Sequence, residues 1–264
     1  CSLSLSKSLK RIVTIHGKYG TYLQGNFIID FLRKIFIKQQ SKIWEKANKV
    51  IVISESIRDW LEKLNSSIKP IVIPYGVEIQ EVSQKNKLAN PTLGYLGKLN
   101  KNKGIEDLID VYTKFQEKEN SSNFELALLI GGTGSENYIK SLKNKIKDNN
   151  VKFLGYVEDR YSFFESIEIF VFPSYSEGLG LVLLEAMAHG VICITRDVTP
   201  MNSIVDNEEN GFLFKDNKEL LEKIEMVLNL NSTEKNKLVE SAIKKIEKSY
   251  SIMQMYLSTE KAYN

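Results

Sequence analysis

The sequence is poor in several residue types, and each shortage narrows the class of protein. Two cysteines among 264 residues provide no disulfide framework, which excludes a small disulfide-stapled domain and leads us to expect a reducing, cytoplasmic setting. Cys193 stands in the apolar run 191–194 and is predicted to be a core residue. The formal net charge of only +3 does not indicate a nucleic-acid-binding protein. Arginine supplies only five of the 36 basic residues, so a single lysine is weak evidence of function.

Long apolar runs are also missing. No stretch has the length of a membrane-spanning helix, and none has the pattern of a signal peptide. The chain begins with Cys1 rather than methionine, so we expect a fragment or a processed product; a lipoprotein start at Cys1 is a less favoured alternative. With 42% hydrophobic and 26% charged residues, the sequence is typical of a globular protein with one large or two small domains.

Short apolar runs alternate with amphipathic stretches along almost the whole chain. This alternation predicts parallel strands joined by right-handed helical crossovers, a Rossmann-like doubly wound α/β fold. The polar segment 81–90, rich in Asn, Lys and Gln, is predicted to be a linker. The predicted strands are 11–15, 50–53, 70–73, 92–96, 125–130, 151–154, 168–172, 191–195 and 211–214; the predicted helices are 22–47, 55–64 capped by Ser54, 105–117, one from Ser135, one bearing Glu185, two from Lys218 onward and 250–263.

The most informative segment, residues 176–190, reads S-E-G-L-G-L-V-L-L-E-A-M-A-H-G. It places Glu177 in a glycine-bearing loop after a buried strand and Glu185 in the helix that follows. Gly178 and Gly180 keep side chains away from the helix N-terminus, where free amides and the helix dipole favour an anionic or hydroxyl-rich ligand. A carboxylate can also accept two hydrogen bonds from a vicinal diol. Either glutamate alone is more often a surface residue, but the pair with its glycines predicts a sugar or nucleoside site.

A second loop with glycines and lysines follows the predicted strand 92–96. Residues 97–104 read G-K-L-N-K-N-K-G and open a helix. Ligands of open parallel sheets bind at the C-terminal ends of strands, so this loop is expected near Glu177. Lys98 and Lys103 can stabilise the diphosphate that leaves a sugar nucleotide without a metal ion. Lys101 is expected to be a solvated loop lysine.

Both segments resemble motifs of the group 1 (family 4) retaining glycosyltransferases of GT-B fold, typified by sucrose, glycogen and mannosyl transferases. Residues 177–190 are similar to that family's Glu-x7-Glu motif, with Leu179 where Phe is frequent. Residues 97–104 resemble its G-[RK]-x(n)-K-G motif, with Lys98 where Arg is usual. The resemblance covers about 11–263 and is looser before Ile71.

The resemblance implies a division into domains. It predicts a complete C-terminal Rossmann-like domain that binds the nucleotide sugar at 89–248, and a helix at 249–264 that returns to the N-terminal domain. Residues 1–88 are expected to be a partial N-terminal Rossmann-like domain on the acceptor side, because the family's early strands have no counterpart in this sequence.

The resemblance also implies a role for each candidate site residue. Glu185 holds the ribose of the donor, Lys98 and Lys103 hold its diphosphate, and Glu177 holds the transferred sugar. The backbone amides of Gly180 and Leu181, with Gly178 beside them, are also implied to contact the sugar, and His16 is implied to reach it. Gly132 is implied to line the nucleotide pocket as part of a G-x-G loop. Tyr156 and Val157 are implied to face the nucleobase. For Tyr156, a half-exposed packing role is an equal alternative.

The implied activity is transfer of a hexosyl group, with retention, from a nucleoside diphosphate sugar (UDP- or GDP-hexose) to a glycan or lipid-linked acceptor. No metal ion and no cofactor is expected. The Lys-, Asn- and Ile-rich composition suggests an AT-rich bacterial genome, in which such enzymes build capsule or lipopolysaccharide, so the expected location is cytoplasmic or at the inner face of the plasma membrane.

Three alternatives remain open from the sequence. The chain could be a truncated or split-transferase module that binds the donor and needs a second subunit for activity. Segment 27–38, apolar with interspersed cations, could dock on a membrane surface, although a helix packed inside the first domain is favoured. An NAD-dependent dehydrogenase is disfavoured, because residues 131–134 fail the G-x-G-x-x-G pattern, with Asn137 at the last glycine position.

Overall fold

The computed structural model describes residues 10–18, 27–79, 90–119, 125–146 and 148–264. They form two compact units: the described residues of Cys1–Gly76 with Ile252–Asn264, and those of Val77–Ser251. The smaller unit contains β1 Ile12–Ile15, α1 Phe27–Trp44, β2 Lys49–Val52, α2 Glu55–Leu64, β3 Ile71–Val72 and α10 Ile252–Tyr263. The larger unit contains β4 Thr92–Leu96, α3 Ile105–Glu119, β5 Ala127–Gly131, α4 Glu136–Lys145, β6 Val151–Gly155, α5 Arg160–Glu165, β7 Ile169–Phe172, α6 Leu181–Ala188, β8 Ile192–Arg196, α7 Met201–Ile204, β9 Phe212–Phe214, α8 Asn217–Asn229 and α9 Ser232–Ser249.

The smaller unit is a parallel sheet with helices around it. Its described strands follow the order β1-β2-β3. The Ser54 hydroxyl accepts the Ile57 amide at 3.4 Å, so Ser54 caps α2 as the sequence predicts. Helix α10 belongs to this unit: Ala262 packs with Ile51, and the Met255 sulfur accepts the backbone amide of Gly76 at 3.3 Å.

The larger unit is a parallel sheet in the order β6-β5-β4-β7-β8-β9. The chain builds outward from β4 to β6, then returns to pair β7 with the other edge of β4, where Leu93 lies opposite Ile169. The strand order therefore reverses between β4 and β7, which makes this pair the topological switch point. Open α/β sheets bind ligands outside the C-terminal ends of the strands at such a point.

Burial explains why these segments form a central sheet. Every residue of β4, β7 and β8 is buried, which requires cover on both faces of the sheet, as in parallel sheets generally. Leu93 and Val171 pack in one core with Ile105 and Leu108 from α3 and Ile224 from α8. Each such side chain stabilises the fold by about 1.5–3 kcal/mol relative to exposure.

The strand and helix predictions agree closely with this architecture. Each predicted strand is present, with ends within two residues of those predicted. The helix predicted at 22–47 is observed as Phe27–Trp44, and its predicted residues 22–26 lie outside the described residues, as does 81–89 of the predicted linker. Two short helices, α5 and α7, were not predicted, because four to six residues are too few to establish a helical period.

Helix α1 packs within the smaller unit, as the favoured interpretation predicts, but much of its apolar surface is exposed. It packs against α2 and buries only a narrow stripe that includes Ile37 and Ser41. Phe31, Leu32 and Phe36 are more than half exposed. Within the described residues, no helix has both the length and the apolar character needed to cross a lipid bilayer.

Helix α8 depends on a single capping side chain. One carboxylate oxygen of Asp216 accepts the amides of Lys218 and Glu219, both at 2.9 Å. We expect Asp216→Ala to lower the free energy of unfolding by about 1 kcal/mol, because two amides lose their acceptor. Urea denaturation measures this. Glu222→Ala, an exposed change on the same helix, serves as the control and should cost less than about 0.5 kcal/mol; equal costs for the two variants would contradict the capping role.

Candidate functional site

Two loops meet beyond the C-terminal ends of β4 and β7. Residues 97–104 follow β4, and residues 173–180 follow β7. The Tyr175 amide donates to the Asn102 carbonyl at 3.0 Å, and the Ser174 hydroxyl lies 3.4 Å from the same oxygen. The loops are therefore joined backbone to backbone at the switch point of the sheet.

Gly104 makes this approach possible. Its backbone adopts a left-handed conformation with φ of 65°, and a Cβ at this position would collide with the Pro173 carbonyl oxygen. The preceding residues form a single 3₁₀ turn, Lys101–Lys103, capped by Asn100, whose side chain accepts the Asn102 amide at 3.0 Å. The turn and the close contact together fix the position of Lys103.

Lys103 and Glu177 are in direct contact. The Lys103 ammonium lies 2.6 Å from a Glu177 carboxylate oxygen, although the residues are 74 positions apart in the sequence. Their side chains are 22% and 14% exposed, so solvent screens this pair less than an open surface ion pair. Two of the residues singled out from the sequence thus meet at the switch point.

Tyr95 connects Lys98 to the same location. Its hydroxyl donates to the Lys98 carbonyl at 3.0 Å. Burial, and secondly the negative charge of Glu177, raise the pKa of Tyr95 far above its ordinary value, so the hydroxyl stays protonated. The Lys98 side chain is exposed and forms no ion pair within the described residues.

The N-terminus of α6 presents unoccupied amides. Gly180 is its N-cap, with φ of 86° and no side-chain cap. The Leu183 and Leu184 amides both donate to the Gly180 carbonyl, at 2.9 and 3.2 Å. Within the described part of the chain, the amides of Leu181 and Val182 have no acceptor, as expected for a first helical turn. Gly178 lies in the loop between Glu177 and this helix.

Glycine backbones at the ends of three neighbouring strands, β4, β5 and β6, pack together. The Gly97 amide donates to the Gly131 carbonyl at 3.1 Å, and the Gly132 amide donates to the Gly155 carbonyl at 2.6 Å. Gly132 has φ of 137°, and a Cβ there would collide with the Gly97 carbonyl oxygen. The G-x-G segment therefore lies against the loop that carries Lys98.

The next loop carries Tyr156 and Val157. Tyr156 is 75% exposed, so its alternative role as a half-exposed packing residue is wrong. Val157 is partly buried and lies over Gly131, where a Cβ would come within 2.8 Å of the valine methyl group.

Glu185 forms an ion pair that the sequence does not predict. One terminal nitrogen of Arg160, the first residue of α5, lies 2.7 and 2.9 Å from the two Glu185 carboxylate oxygens. Glu185 is 24% exposed and Arg160 51% exposed at the side chain. The sequence signal that could have indicated α5 is Asp159, an N-cap residue four positions before the first of two phenylalanines. Its side chain accepts the Ser162 amide at 3.0 Å.

An ionic cluster around the buried Arg196, also not predicted, supports the 173–175 segment. Arg196, the last residue of β8, donates from Nε to the Pro173 carbonyl at 3.0 Å and from a terminal nitrogen to Asp107. Its guanidinium lies 4.1 Å from the centre of the Tyr175 ring. The Tyr175 hydroxyl donates to Asp107 at 2.6 Å, and this hydrogen bond raises the pKa of Tyr175. The sequence signal that could have indicated this cluster is an arginine at the end of a buried apolar strand.

His16 lies in the smaller unit, just after β1, and is exposed. Its Nδ1 is in hydrogen-bond contact with the Tyr75 hydroxyl, and the two rings stack with centroids 5.6 Å apart. Tyr75 was not predicted as a site residue. Over the described ranges of both units, no group of three or more His, Cys, Asp or Glu side chains could hold a metal ion.

Comparison with known proteins assigns the family. The family model "Glycosyl transferases group 1" matches residues 78–245, well over half of the chain. The chain belongs to the group 1 glycosyltransferases. The Staphylococcus aureus protein "Capsular polysaccharide biosynthesis glycosyltransferase CapM" is 31% identical over 96% of this chain and 70% of its own length. "O-antigen biosynthesis glycosyltransferase WclY" of Escherichia coli is 27% identical over 69% of this chain and 52% of its own length.

Solved structures of glycosyltransferases share the fold. S. aureus TarM, in complex with fondaparinux, α-GlcNAc-glycerol and UDP, superposes with a TM-score of 0.78 and 22% identity over 96% of this chain. Anabaena HepE, in complex with UDP and glucose, gives a TM-score of 0.74 and 17% identity over 96% of this chain. The group 1 chain therefore has the GT-B type α/β fold. It spans 50% of the TarM chain and 70% of the HepE chain.

The close approach at Gly104 gives a matched test. Gly104 and Gly155 have similar left-handed backbones, with φ of 65° and 70°, but a Cβ on Gly155 would meet no atom within 4 Å. We expect Gly155→Ala to cost about 1–2 kcal/mol of unfolding free energy from the backbone conformation alone. Gly104→Ala should cost about 1–3 kcal/mol more, because Pro173 must move. Urea denaturation compares the two, and equal costs would contradict the tight loop contact.

Proposed function

We propose that the protein is a retaining hexosyltransferase, which moves a sugar from a UDP- or GDP-hexose to a glycan or lipid-linked acceptor. The observation that carries this proposal is the Lys103–Glu177 contact of 2.6 Å at the switch point of a group 1 glycosyltransferase sheet. A cation for the diphosphate and a carboxylate for sugar hydroxyls stand side by side there, next to the free amides of a helix N-terminus.

The donor diphosphate binds Lys103 and Lys98 in this proposal. Lys103 is 22% exposed at the side chain, so its charge acts through a medium of lower dielectric than bulk water. Without a donor, Glu177 neutralises Lys103. When the donor binds, the diphosphate replaces Glu177 as the partner of Lys103, and Glu177 accepts hydrogen bonds from the sugar. The amides of Gly180 and Leu181, with Gly178 beside them, complete the sugar site.

The nucleoside binds on the side of α6 that carries Glu185. The Glu185 carboxylate accepts the two ribose hydroxyls. Gly132 offers backbone without a side chain, so the nucleotide can lie close to the loop. Tyr156, 75% exposed, and Val157 face the nucleobase. UDP is present in the TarM and HepE complexes, which supports a uracil nucleotide as the first donor to test.

The reaction proceeds without a side-chain nucleophile. The bond between the sugar anomeric carbon and the diphosphate oxygen breaks, and the acceptor oxygen bonds to that carbon on the same face. The acceptor proton passes to the leaving phosphate oxygen. Lys98 and Lys103 stabilise the charge that grows on the diphosphate, so neither metal ion nor cofactor is needed. The contact of His16 with the transferred sugar stays a prediction from the sequence.

The biological setting follows from the relatives. CapM and WclY are named for capsular polysaccharide and O-antigen biosynthesis. We assign this protein to bacterial surface polysaccharide synthesis, in the cytoplasm or at the inner face of the plasma membrane.

A second candidate function is a donor-binding module without transfer activity of its own, completed by a second subunit. The observation that favours it is that every donor contact proposed here except His16 lies in the unit Val77–Ser251. Calorimetry with UDP and GDP, beside a transfer assay, separates the candidates. Binding with turnover supports the transferase, binding without turnover supports the module, and no binding of either nucleotide overturns both.

Lys103 and Lys101 provide a matched pair for the diphosphate role. Both lie in one 3₁₀ turn, but Lys101 is exposed and only Lys103 contacts Glu177. We expect Lys103→Ala to lower kcat/KM by about a hundredfold or more, because a cation that stabilises the leaving group is lost. Lys101→Ala should stay within about twofold of the unsubstituted protein. Release or transfer of the sugar from the donor is the readout, and equal effects of the two variants would contradict the assignment.

Stereochemistry and metal dependence form a separate prediction. NMR of the initial product should show the anomeric configuration of the donor, because the acceptor attacks on the face that the diphosphate leaves. Turnover should be unchanged after EDTA treatment, since lysines supply the positive charge. An inverted product, or activity lost with EDTA and restored by Mg²⁺ or Mn²⁺, would contradict the proposed mechanism.

A further inference from the structure

The Arg160–Glu185 ion pair is the strongest feature that the proposed function does not use. A single guanidinium nitrogen bridges both carboxylate oxygens of Glu185, at 2.7 and 2.9 Å. Side chains from two different helices, 25 residues apart in sequence, form this bridge. A nitrogen shared between two oxygens fixes the rotation of the carboxylate about its last bond, which a contact to one oxygen does not.

The surrounding residues hold α5 beside α6 so that this bridge can form. Phe164 is buried on α5, and its ring lies 5.0 Å from the ring of His189, the C-cap of α6. Tyr161 contacts the same imidazole edge-on at 5.4 Å. His189 Nδ1 in turn donates to the Glu185 carbonyl at 2.7 Å. The imidazole thus links the backbone of Glu185 to the helix that carries Arg160.

Both carboxylate oxygens of Glu185 keep acceptor capacity beside the bridge. A carboxylate has about four lone-pair positions, two on each oxygen. Arg160 occupies one position on each oxygen of Glu185, so one position on each oxygen remains for the two hydroxyls of a ribose, which act as donors. Hydrogen bonds to a carboxylate are charge-assisted and stronger than those between neutral groups.

We propose that Arg160 is a positioning residue that orients Glu185 for the nucleoside ribose. This inference rests on the proposed function, in which Glu185 binds the ribose. It distinguishes the two ion pairs of the site: the Lys103–Glu177 pair opens when the donor binds, whereas the Arg160–Glu185 pair persists in the complex. Arg160 therefore governs affinity for the nucleoside and not the rate of sugar transfer.

Arg160→Leu with Lys118→Leu as control tests this inference. Lys118 also bonds a glutamate of a neighbouring helix, Glu225, and the exposures match: 59% and 27% for that pair against 51% and 24% for Arg160 and Glu185. We expect Arg160→Leu to weaken UDP or GDP binding about tenfold in calorimetry, with kcat of any active form retained, while Lys118→Leu leaves binding unchanged. Arg160→Lys should recover part of the affinity.

The 2′-deoxy forms of UDP and GDP separate positioning from general structural damage. The unsubstituted protein should prefer the ribonucleotide, and Arg160→Leu should lose most of this preference. In a Glu185→Gln background, Arg160→Leu should have no further effect. The inference is overturned if Arg160→Leu binds as well as or more tightly than the unsubstituted protein, or weakens both sugar forms equally. If the unsubstituted protein binds neither UDP nor GDP, the proposed function itself fails, a result distinct from these.

Discussion

The contact between two loop backbones beyond β4 and β7 is the constraint on which the site depends. Gly104 lies against the Pro173 carbonyl with no room for a Cβ, and the Tyr175 amide is bonded to the Asn102 carbonyl. The strands before these loops are buried neighbours in the sheet, and these contacts hold the loops to each other. The junction brings the Lys103 ammonium to Glu177, and it lies at the switch point where doubly wound sheets bind ligands.

Two ion pairs of the larger unit lie at this junction, one around the buried Arg196 and one partly exposed. Beneath it, Arg196 is almost fully buried between the Pro173 carbonyl and Asp107, and supports the loop from below. In the site, Lys103 and Glu177 neutralise each other while remaining partly exposed, so a ligand of opposite charge can exchange with either. Pairing keeps a cation and a carboxylate together in the site without the free-energy penalty of an unpaired, partly buried charge when no ligand is bound.

The sequence predicts this architecture well where signals are local. The alternation of apolar runs and amphipathic stretches predicts the strands and most of the helices of both sheets. The glycine-bearing motifs point to Glu177 and Lys103, which the structure brings into contact. Three residues of the site region were not predicted: Arg160, Arg196 and Tyr75. Each makes its contact with a partner 23 or more residues away in the sequence, and no local pattern indicates that contact. A short helix such as α5 shows no helical period. The apolar pattern of α1 predicts that the helix packs within the smaller unit, but it does not tell which of its apolar side chains stay exposed.

The most direct test of the central claim is a crystal structure of the protein with bound UDP. We expect a β-phosphate oxygen about 2.7–3.0 Å from the Lys103 ammonium, with the ammonium drawn away from Glu177 and the ribose hydroxyls bound to Glu185. A diphosphate bound elsewhere, with the Lys103–Glu177 contact unchanged at 2.6 Å, would contradict it.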